Sequence, residues 1–363
     1  MQIAQHEGQI KRIDENTYAV KSQSHEGEYG IIKVCGEWLC ECPDNKYRHV
    51  KCKHIFAVEF SQSLREEVQV SRIISEASVK VCRYCGSSEI VKDGIRHNKH
   101  GNLQIFNCQK CGHYFTINLG FERMRATPQI ITSAMQLYFT GESLRNVQKF
   151  LKLQGVKVSH VAILKWIRKY VALMNEYLEK IKPNVSDTWR ADKLYVKIKG
   201  DMKYLFALMD DETRFWIAQE IADSKYAHDA RTLFRAGIEA TGKKPMIIIT
   251  DGLPAYHEAY KKEFWTLRNP RTEHINAIRL RGNMNNNKME RMNGEVRDRE
   301  KVMRGLKTKE TPILIGYQLF HNYIRPHEGL NGKTPSEACG IKVEGENRWL
   351  TIIQNARLSN KTL

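Results

Sequence analysis

Residues 189–220, WRADKLYVKIKGDMKYLFALMDDETRFWIAQE, decide how the larger part of this chain is read. Leu194, Val196 and Ile198 alternate with Tyr195, Lys197 and Lys199, the period-two pattern of a half-buried strand. Gly200–Asp201 turns the chain into Tyr204–Leu208, and Asp210–Thr213 turns it again into Phe215–Gln219. Three runs joined by tight turns predict an antiparallel meander. Asp192 shares strand parity with the apolar residues, and a carboxylate on an apolar face is costly unless something positive neutralises it.

Working downstream, helical spacing predicts a helix from about His228 to Ala240. MIIIT (246–250) is a continuous apolar run typical of a buried parallel strand. A second helix is expected over about Pro254–Phe264, a strand over His274–Leu280, and a final helix from about Asn287. The order β-β-β-α-β-α-β-α resembles a ribonuclease H-like fold. Asp251 ends the buried strand, where ligands collect in α/β sheets. Glu290 lies near the start of the final helix. Three carboxylates from separate elements can converge on two hard cations, a geometry suited to in-line phosphodiester chemistry. Asp210, Asp211 and Glu212 read as turn residues, and Glu295, Asp298 and Glu300 as a solvated charged face. Arg297 lies two helical turns beyond Glu290 on the same face and is a candidate phosphate contact; the alternative is an ordinary ion pair.

Upstream, GESLRNVQKFLKLQGVKVSHVAILKWIRKY (141–170) sits in a helical segment. Ile130, Ile131, Ala134, Leu137 and Tyr138 repeat at helical spacing, with Pro128 suited to a first turn. Gly141 and Gly155 break the run, and Ser159 can cap a third helix. That helix would carry His160, Lys165, Arg168 and Lys169, so a DNA-binding helix-turn-helix is expected, with Ser159 and these residues at the interface. A plain helical linker or a dimerisation bundle is the rival reading.

Eight of nine cysteines lie before residue 112. Cys40-x-Cys42 is followed after nine residues by Cys52-x-His54, four ligands that suit tetrahedral Zn²⁺ and resemble a SWIM zinc finger. Cys35 and His49 are possible substitutes. Cys82-x-x-Cys85 and Cys108-x-x-Cys111, each followed by glycine and separated by 22 residues, predict a zinc ribbon. Two closed, structural Zn²⁺ sites are therefore expected.

With 58 Lys+Arg against 41 Asp+Glu, the chain carries a net charge of +17, which points first to nucleic acid. From Lys261 to Lys309 there are 14 basic and 6 acidic residues, so the excess is localised. No apolar stretch reaches the length of a membrane span and the N-terminus has no signal-peptide core, so a cytoplasmic, nucleoid-associated protein without membrane partners is expected.

ADKLYVKIKG (191–200), TDG (250–252), NNNKMERMNGEVRDREKVMRG (285–305) and FHNYIRPHEGLNGKTPSEA (320–338) resemble the DDE transposases of bacterial and archaeal insertion sequences. The likeness covers roughly residues 80–340, and Asn293–Gly294 matches the family's N-G after the glutamate. The resemblance implies that Asp192, Asp251 and Glu290 are the catalytic metal triad, served by Mg²⁺ with Mn²⁺ able to replace it. It implies binding of the element's terminal inverted repeats and of target DNA. It also implies cleavage exposing a 3′-hydroxyl, strand transfer by that hydroxyl, and a homodimer or larger assembly. The expected fold class is multidomain α/β: a ribonuclease H-like mixed sheet with flanking helices, preceded by a helix-turn-helix and two small zinc modules. The expected boundaries are 1–72 (SWIM-like finger), 73–120 (ribbon), 121–183 (helix-turn-helix), 184–345 (catalytic domain) and 346–363 (an uninformative tail). The rivals are a catalytically silent, transposase-derived DNA-binding regulator and a nuclease that only hydrolyses.

Overall fold

The computed structural model describes residues 9–359 except 14–16, 23–26, 35–36, 49, 60–71, 77–80, 83, 99–100, 117–118, 267–271, 277–286, 304–305 and 307–311. The alternative ligands Cys35 and His49, and the end of the expected strand beyond Asn276, lie outside the described residues. The chain divides into two compact units, Met1–Ser71 and Arg72–Leu363.

In the first unit, β1 (Ile10–Arg12), β2 (Thr17–Lys21), β3 (Glu28–Val34) and β4 (Glu37–Cys40) form an antiparallel sheet in sequence order. Alternation puts Tyr18, Val20 and Ile31 into a small core with Ile55 and Val58, which a helical turn over 53–59 supplies. A short helix α1 (Pro43–Arg48) follows β4.

The second unit begins with β5 (Arg72–Ile74). Next comes a three-stranded antiparallel sheet of β6 (Ile90–Asn98), β7 (Gly101–Cys108) and β8 (Tyr114–Thr116), with Phe106 and Phe115 stacked in its core. Three helices follow: α2 (Pro128–Phe139), α3 (Leu144–Leu153) and α4 (His160–Leu178). Thr127, Ser143 and Ser159 each accept a hydrogen bond from a first-turn N–H, the side-chain capping that fixes where each helix starts. Ile131, Ala134, Met135, Val147, Leu151, Ile163, Ile167 and Tyr170 join one core, as the helical spacing predicts.

The central sheet runs in the order β11-β10-β9-β12-β13. β9 (Thr188–Ile198), β10 (Asp201–Asp210) and β11 (Trp216–Ala222) are the antiparallel meander, with Asp192 opposite Ala207. β12 (Ile247–Thr250) runs parallel to β9, and β13 (Glu273–Asn276) parallel to β12. Helices α5 (Ala227–Thr241) and α6 (Pro254–Glu263) connect these strands, and α7 (Asn287–Met303) packs on β9 through Met289, Met292 and Val296, all buried. This is the ribonuclease H-like mixed arrangement. Its packing is close: a Cβ added at Gly237 of α5 would lie 2.3 Å from Leu208 Cδ2.

After α7, helix α8 (Pro312–Leu319) continues as a π-turn over Phe320–Ile324. The last residues correct the expectation of an uninformative tail. Helix α10 (Arg348–Ser359), reached through α9 (Pro335–Ala338) and β14 (Ile341–Val343), buries Trp349, Ile352, Ile353 and Ala356. Trp349 stacks on Phe139 of α2, with ring centroids 5.4 Å apart, and β14 pairs in parallel with β5. Among the described residues, no helix is long and apolar enough to cross a membrane.

Candidate active site and metal centres

β9 carries Asp192 on its buried face, 8% exposed. Asp251 stands just beyond β12, half-buried, and Glu290 is exposed in the first turn of α7. Asp192 uses both oxygens. Oδ1 accepts from the Lys193 backbone N–H at 2.8 Å, and Oδ2 accepts from Asn293 Nδ2 at 2.8 Å. Burial above all, and then the charges of Asp251 and Glu290, push the Asp192 carboxyl up to about 6; the Lys193 N–H and ammonium act the other way. Asp251 and Glu290 are thus near enough to Asp192 for their charges to act on it. Lys193 is the local counter-cation, its Nζ 2.9 Å from Asp251 Oδ2.

Beneath the pair lies Tyr256 of α6, fully buried with no hydrogen-bond partner for its hydroxyl. Burial first, then the charges of Asp192 and Asp251, raise it well above the ordinary phenol range. A buried carboxylate pressed by two like charges gains from a bound cation, so the residues present fit divalent metal. The three acids are not among the sets of described residues whose possible ligating atoms all lie within 4.8 Å of one another.

Three residues of this site were not read from sequence as parts of it. Asn293 follows Glu290 by three residues, so helical geometry places both near one face; that signal was available. Lys193 was hidden by strand alternation, which assigns it to the opposite face from Asp192 and ignores the reach of a four-carbon stem. Tyr256 carries no pattern beyond a helical core position.

The neighbouring acids differ from the reading as plain turn and surface residues. Asp210 is fully buried, accepting from Ser186 and Thr213, because its side chain closes the turn from inside. Asp211 holds Arg190, itself 1% exposed, at 2.5 Å and Lys288 at 2.8 Å. Glu295 holds Arg325 at 2.5 Å, and Glu300 accepts from the Lys197 backbone N–H. Glu212, exposed in the turn, and Asp298, paired with Lys301 across exposed surface, match the reading as turn and solvated residues. Arg297 is exposed and makes no ion pair among the described residues.

Of the expected DNA contacts on α4, Lys165, Arg168 and Lys169 are exposed and His160 is half-buried. Ser159 spends its hydroxyl as the cap of α4, accepting from Ala162 at 3.1 Å. Lys169 Nζ lies over the Tyr170 ring and near Met124 Sδ.

Among the described residues, the sets whose possible metal-ligating atoms all lie within 4.8 Å are Cys40, Cys42, Cys52, His54 and Cys82, Cys85, Cys108, Cys111. Tetrahedral Zn²⁺ with Zn–S near 2.3 Å sets its sulfurs roughly 3.8 Å apart. Cys82 and Cys111 sulfurs are 3.6 Å apart, Cys85 and Cys108 sulfurs 3.5 Å. Cys40 Sγ lies 3.9 Å from His54 Nδ1, and the buried His54 Nε2 has no hydrogen-bond partner. In the ribbon, Gly86 and Gly112, at φ +73° and +69°, turn their N–H groups back to the carbonyls of Cys82 and Cys108 at 2.8 Å. Left-handed backbone there is what glycine allows. Both clusters fit zinc-binding modules.

Residues 186–327 match the family model described as a DDE domain, of the IS240 transposase type. The chain carries a DDE transposase domain. Over 146 residues it is 27% identical to the transposase for insertion sequence-like element IS431mec of Staphylococcus aureus, covering 39% of this chain and 63% of that one. The transposase of insertion sequence element IS257 in transposon Tn4003, also from Staphylococcus aureus, matches to the same extent. The chain thus spans 63% of the length of these relatives. The catalytic core of HTLV-2 integrase in complex with magnesium superposes at a TM-score of 0.31 and 17% identity, over 43% of this chain and 94% of that one. The DDE domain contains Asp192, Asp251 and Glu290 and, within its matched bounds, the whole central sheet.

Proposed function

We propose that this protein is a DNA transposase whose DDE domain cuts and joins DNA at Asp192, Asp251 and Glu290. The observation that carries the reading is the buried Asp192 on β9, bound at 2.8 Å by Asn293 of the helix that carries Glu290 and next to β12, after which Asp251 stands, all within one DDE domain. Divalent metal, Mg²⁺ with Mn²⁺ as substitute, held by these acids would supply charge stabilisation for the attacking and leaving oxygens. Asn293 holds Asp192 in place from α7, and Lys193 balances Asp251. Arg297, exposed two turns along α7 from Glu290, serves to hold DNA phosphate beside the acids.

The three-helix segment with His160, Lys165, Arg168 and Lys169 binds the terminal inverted repeats, and Ser159 acts by fixing the start of α4. The two cysteine sets each hold a structural Zn²⁺, the first as a SWIM-like finger and the second as a ribbon. Two transposon ends must be handled together, so a homodimer or larger assembly acts on end and target DNA. The work is done at chromosomal DNA in the cytoplasm. The domains divide as 1–72, 73–120, 121–183 and 184–345.

The test is end cleavage and joining on a labelled duplex copied from DNA flanking the coding region, with Mg²⁺. Asp192→Asn, Asp251→Asn and Glu290→Gln each abolish both steps and keep DNA binding; Asp298→Asn, at a solvated position, stays active. Tight binding by a wild type that is inert in both Mg²⁺ and Mn²⁺ establishes the silent regulator instead.

A further inference from the structure

Among the described residues, the three acids have one ion-pair partner, Lys193. Its Nζ lies 2.9 Å from Asp251 Oδ2, while Asp251 Oδ1 accepts from the Leu253 backbone N–H at 3.1 Å. The backbone thus takes one oxygen of Asp251 and the ammonium takes the other. The same ammonium reaches further: burial above all disfavours the charged form of Asp192, and the Lys193 charge works against that. Lys193 therefore stands on the carboxylate oxygen that a divalent ion would also use. Hard divalent ions sit about 2.0–2.6 Å from oxygen ligands, and two cations crowded on one oxygen repel each other. Ammonium and divalent ion are alternatives there, and the ion, with twice the charge and drawn by three carboxylates, has the stronger claim.

The lysine has somewhere to go. Alternation puts Lys193, Tyr195 and Lys197 on the face of β9 opposite Asp192. The Lys193 side chain is 17% exposed, and Tyr195 and Lys197 are exposed. β9 pairs with β12 only from Thr188 to Arg190, so Lys193 and the residues after it stand clear of that strand's end. Across the strand pair their register partners are Phe206, Tyr204 and Met202, with the Tyr195 and Tyr204 rings 4.9 Å apart between centroids. The acid that register brings nearest on this face is Glu220 of β11, opposite Phe206 and two strands away, or about 10 Å. Asp223, beyond it, is held by Lys203. An ammonium turned out from Asp251 meets tyrosine and a second lysine, a surface that favours a polyanion. Its long, rotatable stem and point charge suit a phosphate oxygen.

We propose that Lys193 changes partners in the working site: it neutralises Asp251 until a divalent ion is bound there, then swings outward and holds a phosphate of the DNA strand at the acids. The inference rests on the transposase reading and adds a phosphate contact to it. Removing the ammonium eases metal loading and weakens the hold on DNA. An ion pair that only props up Asp251 gives the opposite sign for metal, because breaking it loosens a ligand.

The test uses the full chain, supplied with zinc. Mn²⁺ is titrated without DNA into wild type, Lys193→Met and Asp251→Asn, with electron paramagnetic resonance reading the free ion. Met keeps an unbranched stem beside Phe206. Lys193→Met should bind Mn²⁺ at least about fivefold more tightly than wild type, the scale of a partly exposed ion pair, and Asp251→Asn should lose that ion. A second measurement needs no variant. Acetylation of wild-type Lys193 by an N-hydroxysuccinimide ester, read by mass spectrometry, should rise severalfold with Mg²⁺ and fall again when duplex copied from the DNA flanking the coding region is added. Lys203, held by Asp223, should not respond to Mg²⁺. Equal or weaker Mn²⁺ binding by Lys193→Met, or acetylation of Lys193 that Mg²⁺ leaves unchanged, overturns the change of partner; with Mn²⁺ still lost in Asp251→Asn, the transposase reading stands. A Lys193 that Mg²⁺ exposes and duplex leaves exposed overturns the phosphate contact. Mn²⁺ bound equally by wild type and Asp251→Asn overturns the metal role of the acids, and this inference with it.

Discussion

Asp192 is held at 2.8 Å by Asn293, so the residue that orients the acid comes from the helix that also presents Glu290. Asn293→Ala should leave DNA binding intact and cut cleavage by about 10–100-fold, the range typical of groups that orient metal ligands. The check is single-turnover cleavage against Mg²⁺ concentration: the variant should need more metal and be partly rescued by it. A fall that no metal concentration relieves would mean that Asn293 acts otherwise. Asp211 makes a stability prediction. It is the partner of the buried Arg190, and removing one member of a buried pair costs about 3–5 kcal/mol. Asp211 is itself partly exposed and shared with Lys288, which lowers that figure, so Asp211→Asn should lose about 2 kcal/mol in urea unfolding. A change within error would show that solvent replaces the pair. Strand parity made Asp192 legible in the sequence, because an acid among Leu194, Val196 and Ile198 breaks an apolar rule. Asp211 and Glu295 were misread because their partners, Arg190, Lys288 and Arg325, are brought to them only by the folded chain.

At the scale of elements, two glycines on helices make opposite predictions. Gly316 of α8 lies so close to α2 and α4 that a Cβ would stand 2.4 Å from Phe139 and 2.7 Å from Val171. Gly316→Ala should destabilise by about 1–3 kcal/mol through overpacking. Gly294, inside α7 one residue after Asn293, has nothing within 4 Å of a built Cβ. Gly294→Ala should therefore stabilise the fold by up to about 1 kcal/mol. If DNA passes over that bare surface, the same variant should bind duplex less tightly. Thermal melts and duplex titrations of the two variants check both signs; Gly294→Ala that melts higher and binds as well as wild type would place the DNA elsewhere. The meander, α5, α6, the buried strand and the three helices before it were all readable from periodicity and turn residues. Helix α10 was not, since its apolar residues show their purpose only against Phe139 and Phe320. The cysteine sets were legible because metal ligands come in short, fixed spacings. Cys108→Ser should disorder the ribbon and remove one of two zincs per chain by elemental analysis; two zincs in the variant would mean that this set does not hold the metal.

For the whole molecule, the net +17 predicts DNA affinity that falls steeply with salt, and the proposed helix-turn-helix predicts that the specific share of that affinity lies before residue 184. A chain starting at residue 184 should keep weak, salt-sensitive binding and lose the footprint on the flanking repeat. A footprint that survives would assign end recognition to the DDE domain itself. Everything else depends on whether the three acids hold metal. The most direct measurement is anomalous diffraction from crystals of the protein with DNA and Mn²⁺, for wild type and for Asp192→Asn. Manganese should lie between Asp192, Asp251 and Glu290 in the wild type, with at least one ion lost in the variant. Active wild-type protein whose manganese lies away from these carboxylates, or an Asp192→Asn site that fills equally well, would contradict that metal site.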